Sequence, residues 1–226
     1  MTFSILGLCN RTGMIGTAIA TSSICVGARC PWVRTGVGAV STQNITLPSI
    51  GPLVLDRLEE GRTAGEALND IMGSIDQGEY RQVIVIDNVG RSAGISGAKT
   101  LGTYAMKAGE SCIAAGNLLH SEELPQVMTK CFEECADEHL AGRLLTALEA
   151  GLHKAGGEEG SVHSSAILVH ANQVWPLVDL RVDWDDSDPV LALRKLWADY
   201  EPQMEDYITR ALNPAAAPSY GVPGDE

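Results

Sequence analysis

The order of secondary-structure patterns along the 226-residue chain predicts an α+β fold, a four-layer αββα sandwich of two antiparallel sheets between helical layers. Strand-type and helical segments come in groups: strands, a helix pair, strands, a helix pair, strands and a helix. A parallel doubly wound fold would instead alternate single strands with single helices. The chain has 24 Gly residues and only 5% aromatic residues, so small side chains are expected to set the packing between the sheets.

Each predicted element has a local pattern. Strands are indicated by period-two alternation or by short β-branched runs between turn residues. They are expected over residues 2–8, 16–22, 24–28, 32–41, 81–87, 92–96, 111–115, 164–169 and 174–182. Helices are indicated by apolar stripes, a capping box at Thr63 and a proline at helix start. They are expected over residues 48–60, 63–72, 122–136, 140–154 and 188–212, the last with a kink or break at Pro202.

Composition limits the classes of partner. Residues 1–212 are expected to form one domain and residues 213–226 a flexible tail without a core-forming pattern. The net charge of −13 disfavours nucleic acid and anionic membranes as partners. Neither a spanning apolar run nor a basic region followed by an apolar one is present, so a cytoplasmic protein is expected. Symmetric self-association into a homo-oligomer is expected on general grounds.

The sequence favours no metal or nucleotide cofactor. The six cysteines lack close zinc-ligand spacing, and buried reduced thiols are the better interpretation. Gly36 and Gly38 are not followed by the third glycine and helix start of a dinucleotide fingerprint. The acidic run over residues 183–188 lacks the central Gly and terminal Glu of a calcium loop, and Pro189 makes it typical of a helix lead-in.

The first strand carries the main candidate for chemistry. Thr2 follows the initiator Met1, and its small side chain suits removal of that methionine. The mature chain would then present a hydroxyl and an α-amine on one residue. The amine can take the hydroxyl proton and the alkoxide can attack a carbonyl. The plainer interpretation, that Thr2 is an ordinary second residue, stays open on these two letters alone.

Segments spread over most of the chain resemble a known family. They are residues 2–5, 31–43, 48–52, 55–56, 80–82, 116–117, 164–166 and 178–183. As a set they closely resemble the family catalogued as domain of unknown function 1028. The resemblance implies the fold of the N-terminal nucleophile hydrolases, and it implies no established substrate.

The resemblance also implies roles for individual residues. Thr2 is similar in position to the nucleophile, with its α-amine as the base. Arg34 is similar to the cation that activates this centre, and Gly36 or Gly38 to the amide that holds the oxyanion. One departure is that proteasome-like members use Lys where this chain has Arg34, and Arg supplies only fixed charge.

A second departure concerns the residues after the second predicted strand. The superfamily commonly places an acidic residue there, whereas this chain has Ser22 and Ser23, which become candidates for substrate binding. Both departures concern catalysis and leave the expected fold unaffected.

Four further residues are candidates, each with a plainer alternative. Asn117 follows Gly116 at a strand end and is either an oxyanion donor or a turn former. His163 is either a second base or substrate contact, or a loop histidine without a role. Gln43 and Asn44 either bind a polar substrate or make hydrogen bonds at the end of a sheet.

Together these patterns predict hydrolysis of an amide bond in a small-molecule substrate through a Thr2 acyl-enzyme, without a cofactor or metal. Two alternatives stay open: a catalytically silent relative that binds a small ligand in the same cleft, and a structural subunit of an assembly.

Overall fold

The structure is a computed structural model that describes residues 1–224. Its strands are β1 Thr2–Leu8, β2 Ile15–Thr21, β3 Pro31–Arg34, β4 Gly38–Asn44, β5 Arg81–Asp87, β6 Ser92–Ser96, β7 Ala105–Gly109, β8 Cys112–Asn117, β9 Ser164–His170 and β10 Val178–Val182. Its α-helices are α1 Ile50–Glu59, α2 Ala64–Ser74, α3 Leu124–Glu134, α4 Leu140–His153, α5 Pro189–Tyr200 and α6 Met204–Leu212. Residues 225 and 226, the end of the predicted tail, lie outside the described residues.

The strands form two antiparallel sheets, so the fold is α+β. The first sheet has six strands in the order β10-β9-β2-β1-β8-β7, and the second has four in the order β3-β4-β5-β6. Strand β1 is interior to the first sheet, because it pairs with β2 on one side and with β8 on the other. The amino-terminal strand is therefore held by ladders along both of its edges.

Alternation along β1 sends its side chains to two different cores. Phe3 and Ile5 are fully buried and pack with side chains of α3, α4 and α5. Leu6 and Leu8 instead join a cluster with residues of β4 and β5 in the second sheet. Because successive side chains of a strand point to opposite faces, one face of β1 meets helices and the other meets the opposing sheet.

The second sheet has its own helical partners. Val40 of β4 and Val83 and Val85 of β5 form a cluster with side chains of α1 and α2. Helix α2 begins at the predicted capping box, in which Thr63 and Glu66 satisfy each other's backbone N–H groups. The capping box thus sets the residue at which α2 begins, and with it which residues of α2 cover the second sheet.

The apolar part of the space between the sheets is filled by aliphatic side chains from both. They are Leu6, Leu8, Ile15, Ala39, Ile84, Ile86, Ile113 and Ala115. Glycines let the layers approach: a Cβ at Gly7 would lie 2.5 Å from the Phe132 ring, and one at Gly51 would lie 2.2 Å from Trp32. Both close approaches lie between a sheet and a helix, so they do not bear on the expectation that small residues set the packing between the sheets, where most of these apolar side chains are Leu or Ile.

The structure corrects three sequence-based boundaries. Residues 24–28 contain a short 3-10 helix, Val26–Ala28, where a strand was expected. Strand β7 was not predicted, since Ala105–Gly109 has two exposed residues and no clear alternation. The last strand begins at Val178 and not at residue 174. The expected break at Pro202 is confirmed, because the 3-10 helix Glu201–Gln203 separates α5 from α6.

None of the helices within residues 1–224 has the length and apolar character needed to cross a membrane. The six cysteines are free thiols, and within the same residues no group of three or more His, Cys, Asp or Glu is arranged to hold a metal ion.

Truncating the centre of the intersheet layer tests this packing. Ile84 is fully buried between the sheets, so Ile84→Ala removes methyl groups and leaves a cavity. We expect the free energy of unfolding to fall by about 2–5 kcal/mol in urea denaturation. The matched control is Ile24→Ala, because Ile24 is 55% exposed. A change in the Ile24 variant as large as that in the Ile84 variant contradicts the assignment of this core.

Candidate functional site

One end of the space between the sheets is polar. We call its side chains the intersheet polar cluster. They are Thr2, Ser4, Thr21, Gln43, Gln82 and Asn117. Thr2 is the most exposed of them, at 6%. A buried polar side chain costs free energy unless it has a hydrogen-bond partner, so this cluster needs internal partners.

Gln82 is the hub of the cluster. Its Oε1 accepts hydrogen bonds from Gln43 Nε2 at 2.8 Å and from Asn117 Nδ2 at 3.1 Å. Its Nε2 donates to Ser96 Oγ at 2.9 Å and to the carbonyl oxygen of Gly116 at 3.0 Å. These bonds connect the second sheet to β8 of the first through one side chain.

A second connection starts from β1. Ser4 Oγ donates to Gln43 Oε1 at 2.7 Å, and Ser41 Oγ approaches the same oxygen at 3.5 Å. Gln43 therefore accepts from the first sheet with its oxygen and donates to Gln82 with its nitrogen. The cluster is thus a continuous network from β1 through β4 and β5 to β8.

Strand register brings these residues together. Thr2 is paired with Asn117 across β1 and β8, and Gln43 is paired with Gln82 across β4 and β5. Thr2 lies two residues before Ser4, so both side chains leave β1 on the face that meets the second sheet. A slip of one residue would move both hydroxyls to the helical side.

Thr2 lies at the open end of the cluster, next to Met1. Its Oγ1 lies 3.1 Å from Thr21 Oγ1 on the neighbouring strand. Both hydroxyls also donate hydrogen bonds to the carbonyl oxygen of Met1. Two hydroxyl donors thus converge on the carbonyl that is bonded to the Thr2 nitrogen.

Asn117 retains unused hydrogen-bonding capacity. Its side chain is fully buried, yet its Oδ1 has no hydrogen-bond partner within the described residues. Because Asn117 is paired with Thr2 across the two strands, this acceptor lies beside the start of β1. A buried acceptor without a partner costs free energy, so it marks a position where a donor would be stabilised.

A loop over residues 156–160 covers the same end of the first sheet. Glu158 forms an isolated bridge with Leu119, two residues beyond Asn117. The backbone bonds Glu159 N–H to Leu118 O, at 2.9 Å, and His120 N–H to Gly157 O, at 3.1 Å, hold the loop there. Gly156 and Gly157 both have positive φ, which lets the chain turn tightly into this bridge.

Glu158 is a buried carboxylate at this position. It is 5% exposed, and within residues 1–224 neither carboxylate oxygen has a hydrogen-bond partner. Burial raises the pKa of its carboxyl group from 4.5 to about 8. The positive charge of the Met1 ammonium and longer contacts with Ser22 lower this pKa in part. The chain therefore places an acid with a pKa near neutrality beside its own amino terminus.

The structure does not bring Arg34 to Thr2, which corrects the sequence-based assignment. The Arg34 guanidinium forms ion pairs with Asp56 at 2.8 Å and with Glu59 at 2.7 Å, on the outer face beside α1. Arg34 is paired with Gly38 at the far end of β4 from Gln43. The five residue steps from Gly38 to Gln43 span roughly 16 Å of extended strand.

The two glycines lie at that same distant end, so their assignment as oxyanion amides is also corrected. Gly36 is in the turn between β3 and β4 with φ of +70°, and its carbonyl accepts from Asn88 Nδ2 at 2.7 Å. Gly38 is paired with Asp87 at the end of β5. A Cβ there would lie 2.5 Å from Leu58, so this glycine allows close packing of α1.

The other predicted residues lie nearer to Thr2. Gln43 belongs to the intersheet polar cluster, while Asn44 next to it bonds the backbone of Tyr80 and Leu101. Ser22 is half-buried near Glu158, and Ser23 is exposed.

His163 is tied to the start of β9. Its backbone N–H donates to Thr21 O at 2.9 Å, and its ring stacks on Trp184 with centroids 4.3 Å apart. The ring thus packs against the acidic lead-in to α5.

Sequence reasoning missed Thr21, Gln82 and Glu158. The burial of Gln82 could have been predicted, because it lies on the same face of its strand as the buried Ile84 and Ile86. Thr21 ends a predicted strand opposite Thr2 and could have been found from the hairpin register. Glu158 had no local signal, since a Gly-Gly-Glu-Glu-Gly segment is typical of an exposed loop.

Removing the hub should destabilise the cluster. Gln82→Leu removes the four hydrogen bonds that Gln82 makes with Gln43 Nε2, Asn117 Nδ2, Ser96 Oγ and the Gly116 carbonyl oxygen. We expect the free energy of unfolding to fall by about 2–4 kcal/mol, measured by urea denaturation. Gln126→Leu on the exposed face of α3 is the control, with a change below about 0.5 kcal/mol. Equal effects of the two substitutions contradict the network.

The pKa of Glu158 predicts a pH dependence of stability. Between pH 4.5 and about 8 the folded protein holds a proton on Glu158 that the unfolded chain releases. Raising the pH across this window therefore removes stability, and Glu158→Gln removes that loss. We expect the variant to exceed the wild type in free energy of unfolding by up to about 4 kcal/mol at pH 9 and to match it near pH 5.

The exposed neighbour Glu159 provides the control for that experiment. Glu159→Gln makes the same charge change in the same loop and should leave the free energy of unfolding near that of the wild type at both pH values. A pH-independent difference between Glu158→Gln and the wild type contradicts the buried, proton-binding carboxyl group.

Comparisons with known proteins identify relatives of the chain. A crystal structure of a Silicibacter pomeroyi protein of the DUF1028 family aligns with a TM-score of 0.83 and 30% identity, covering 91% of this chain and 89% of that chain. Anbu (ancestral beta-subunit) from Yersinia bercovieri aligns with a TM-score of 0.40 and 11% identity, covering 91% and 97%. A TM-score of 0.40 is too low for the Anbu structure to support an inference about this chain.

No curated protein matches the sequence. The model of the family of unknown function DUF1028 matches residues 2–193, which is most of the chain. With the 30% identity to the Silicibacter pomeroyi protein, this match means that the chain belongs to the DUF1028 family.

Proposed function

We propose that the protein is an N-terminal nucleophile amidohydrolase that cleaves an amide bond of a small molecule through Thr2 after removal of Met1. The observation that carries the proposal is the position of the Thr2 hydroxyl. It lies at the open end of a buried polar cluster, 3.1 Å from the Thr21 hydroxyl and beside a carbonyl group. This is the kind of site in which an attacking hydroxyl and a hydrogen-bond donor meet an acyl group.

The proposal includes the finer architecture, a four-layer αββα sandwich of the N-terminal nucleophile hydrolase type. Three buried clusters support it. One lies between the first sheet and helices α3, α4 and α5, one lies between the two sheets, and one lies between the second sheet and helices α1 and α2. Stacked in that order, these clusters separate four layers.

The proposed reaction uses the α-amine that Met1 removal creates. This amine takes the proton of the Thr2 hydroxyl, and Oγ1 attacks the substrate carbonyl carbon. The tetrahedral intermediate then breaks its C–N bond, and the leaving amine departs with that proton. Water attacks the Thr2 ester, the C–O bond breaks, and the carboxylic acid leaves with the hydroxyl restored.

Thr21 and Asn117 take the supporting roles in this proposal. Thr21 donates to the carbonyl oxygen of Met1, so it is placed to donate to the oxygen of an acyl group on Thr2. The unpartnered Oδ1 of Asn117 is a suitable acceptor for the new α-amine. Thr21 therefore takes the oxyanion role for which Gly36, Gly38 and Asn117 were the sequence-based candidates. Asn117 instead accepts a hydrogen bond from the α-amine.

The proposed working form is a cytoplasmic homo-oligomer acting on a small-molecule substrate without a cofactor. The net charge of −13 supports a substrate that is not a polyanion, because long-range repulsion would slow its approach.

One observation favours a second candidate, a catalytically silent binder of a small ligand in the same cleft. Arg34, the cation that the family resemblance assigned to the nucleophile, is paired with Asp56 and Glu59 instead. In that case the polar cluster would recognise a ligand and Thr2 would form no ester.

Mass spectrometry of the purified protein and of its adduct tests the proposal. We expect the intact mass to lack Met1 and a β-lactone probe to add its mass at Thr2. Thr2→Ser should keep the labelling and amide turnover within about tenfold of the wild type, while Thr2→Ala should lower turnover at least about 10³-fold. Retention of Met1, or labelling that survives in Thr2→Ala, contradicts the mechanism. Ligand binding without turnover supports the silent binder.

A further inference from the structure

Met1 occupies the open end of the cleft as an aminoacyl group on Thr2. It is half-buried. Its carbonyl oxygen accepts hydrogen bonds from Thr2 and Thr21, and its side chain lies against Gly160. The residue therefore maps what the cleft can hold once Met1 has been removed.

The carbonyl of Met1 marks the position of a substrate acyl carbonyl. Thr2 Oγ1 and Thr21 Oγ1 both donate to its oxygen. The Thr2 hydroxyl is thus next to the carbonyl carbon, although the acyl group is bonded to nitrogen. An acyl group bonded to Oγ1 would occupy nearly the same space, because Oγ1 and the nitrogen belong to the same residue.

The ammonium of Met1 lies in the field of Glu158. This is the positive charge that lowers the pKa of the Glu158 carboxyl group against the large effect of burial. The side chain is 5% exposed, and apart from the longer contacts with Ser22 neither carboxylate oxygen has a hydrogen-bond partner in the described part of the chain. A buried carboxylate that lacks hydrogen bonds is stabilised most by a cation placed beside it.

The side chain of Met1 lies against Gly160, in the same loop as Glu158. A Cβ at Gly160 would lie 2.8 Å from Met1 Cε and 3.3 Å from Met1 Sδ. The absence of a side chain at residue 160 therefore makes room for a linear apolar group. Gly160 thus contacts the side-chain end of this aminoacyl unit, and the buried carboxyl group of Glu158 lies two residues earlier in the same loop.

We propose that the cleft lined by Thr21, Glu158 and Gly160 is a subsite for an α-aminoacyl group that carries a free ammonium, with Glu158 as its counter-ion. The inference rests on the proposed function and names its substrate class: amides of α-amino acids with a small or linear apolar side chain. When Met1 leaves, the subsite loses an ammonium and an apolar chain together. A substrate with both groups restores both contacts.

Proton linkage gives the subsite a recognisable signature. With Met1 in place, burial raises the pKa of Glu158 to about 8, although the Met1 ammonium lowers it in part. Loss of that ammonium removes this lowering effect, so the carboxyl group of the empty subsite is expected to be mostly protonated at pH 7. An ammonium ligand stabilises the carboxylate, so binding of the ammonium form to the protonated carboxyl group releases a proton. Isothermal titration in buffers of different ionisation enthalpy measures this proton.

Two matched amides test the inference on the Met1-free protein. L-methionine amide carries the ammonium, and 4-(methylthio)butanamide is the same molecule without the amino group. We expect the kcat/KM for ammonia release to be at least about tenfold higher for L-methionine amide. In Glu158→Gln this ratio should fall to about one, whereas in Glu159→Gln it should stay at the wild-type value. Equal kcat/KM for the two amides in the wild type overturns the inference and leaves the amidohydrolase function standing.

Gly160→Ala provides an independent readout at the other end of the subsite. The added Cβ fills the space of the Met1 side chain, so kcat/KM for L-methionine amide should fall relative to that for glycinamide. Retention of the wild-type ratio of these two amides overturns the assignment of the loop as a side-chain pocket.

A binding measurement separates the inference from the proposed function. If neither amide is hydrolysed, calorimetry with Met1-free Thr2→Ala decides. Binding of L-methionine amide that is lost when Glu158→Gln is added supports the subsite while the amidohydrolase function fails. Failure of L-methionine amide to bind Thr2→Ala overturns the subsite. Retention of Met1 on the purified wild type overturns both proposals.

Discussion

Burial of polar side chains between two sheets is the constraint on which the Thr2 end of this molecule depends. Side chains in that layer are shielded from water, so each amide and hydroxyl must find its partner inside it. Gln82 supplies most of those partners and thereby fixes the distance between the sheets at this end. Since Ser4 joins the same network, the position of β1 is set by hydrogen bonds as well as by its two ladders.

The intersheet layer is therefore divided along its length. Aliphatic side chains such as Leu8, Ile86 and Ile113 fill one end, and the intersheet polar cluster fills the other. The aliphatic end offers a polar ligand no side-chain hydrogen-bonding group. The polar end already has two groups with unused capacity, Asn117 and Glu158, so binding chemistry belongs there.

Local patterns predicted most of the fold. The β1–β2 hairpin, the strand at Arg81–Asp87 and the capped helix α2 each depend on short-range signals: alternation, β-branched residues and a capping box. Strand β7 was missed because its side chains are too exposed to produce alternation. The short 3-10 helix near Val26 was missed because a few apolar residues do not distinguish it from a strand.

The site was predictable only in part. Thr2, Asn117 and Gln43 were identified from the ends of predicted strands, and they do lie together. The family resemblance assigned Arg34 to the nucleophile, and the order of strands could not test this, because it does not say which end of β3 and β4 lies near Thr2. The way the two sheets pack on each other decides which strand ends meet, and no single segment of sequence encodes that packing.

Glu158 was invisible for a related reason. Its loop comes into place only through the bridge to Leu119, a contact between segments that are distant in the chain.

The enclosure of the amino terminus has a practical consequence for making the protein. Because Met1 is packed under Gly160 and beside Glu158, an affinity tag fused ahead of it would have to push the 156–160 loop aside. Such a fusion would block the cleft and prevent the α-amine of Thr2 from forming. The opposite terminus offers a better attachment point, since residues 218–224 are exposed. A tag at the carboxyl-terminal end therefore leaves the cleft unchanged.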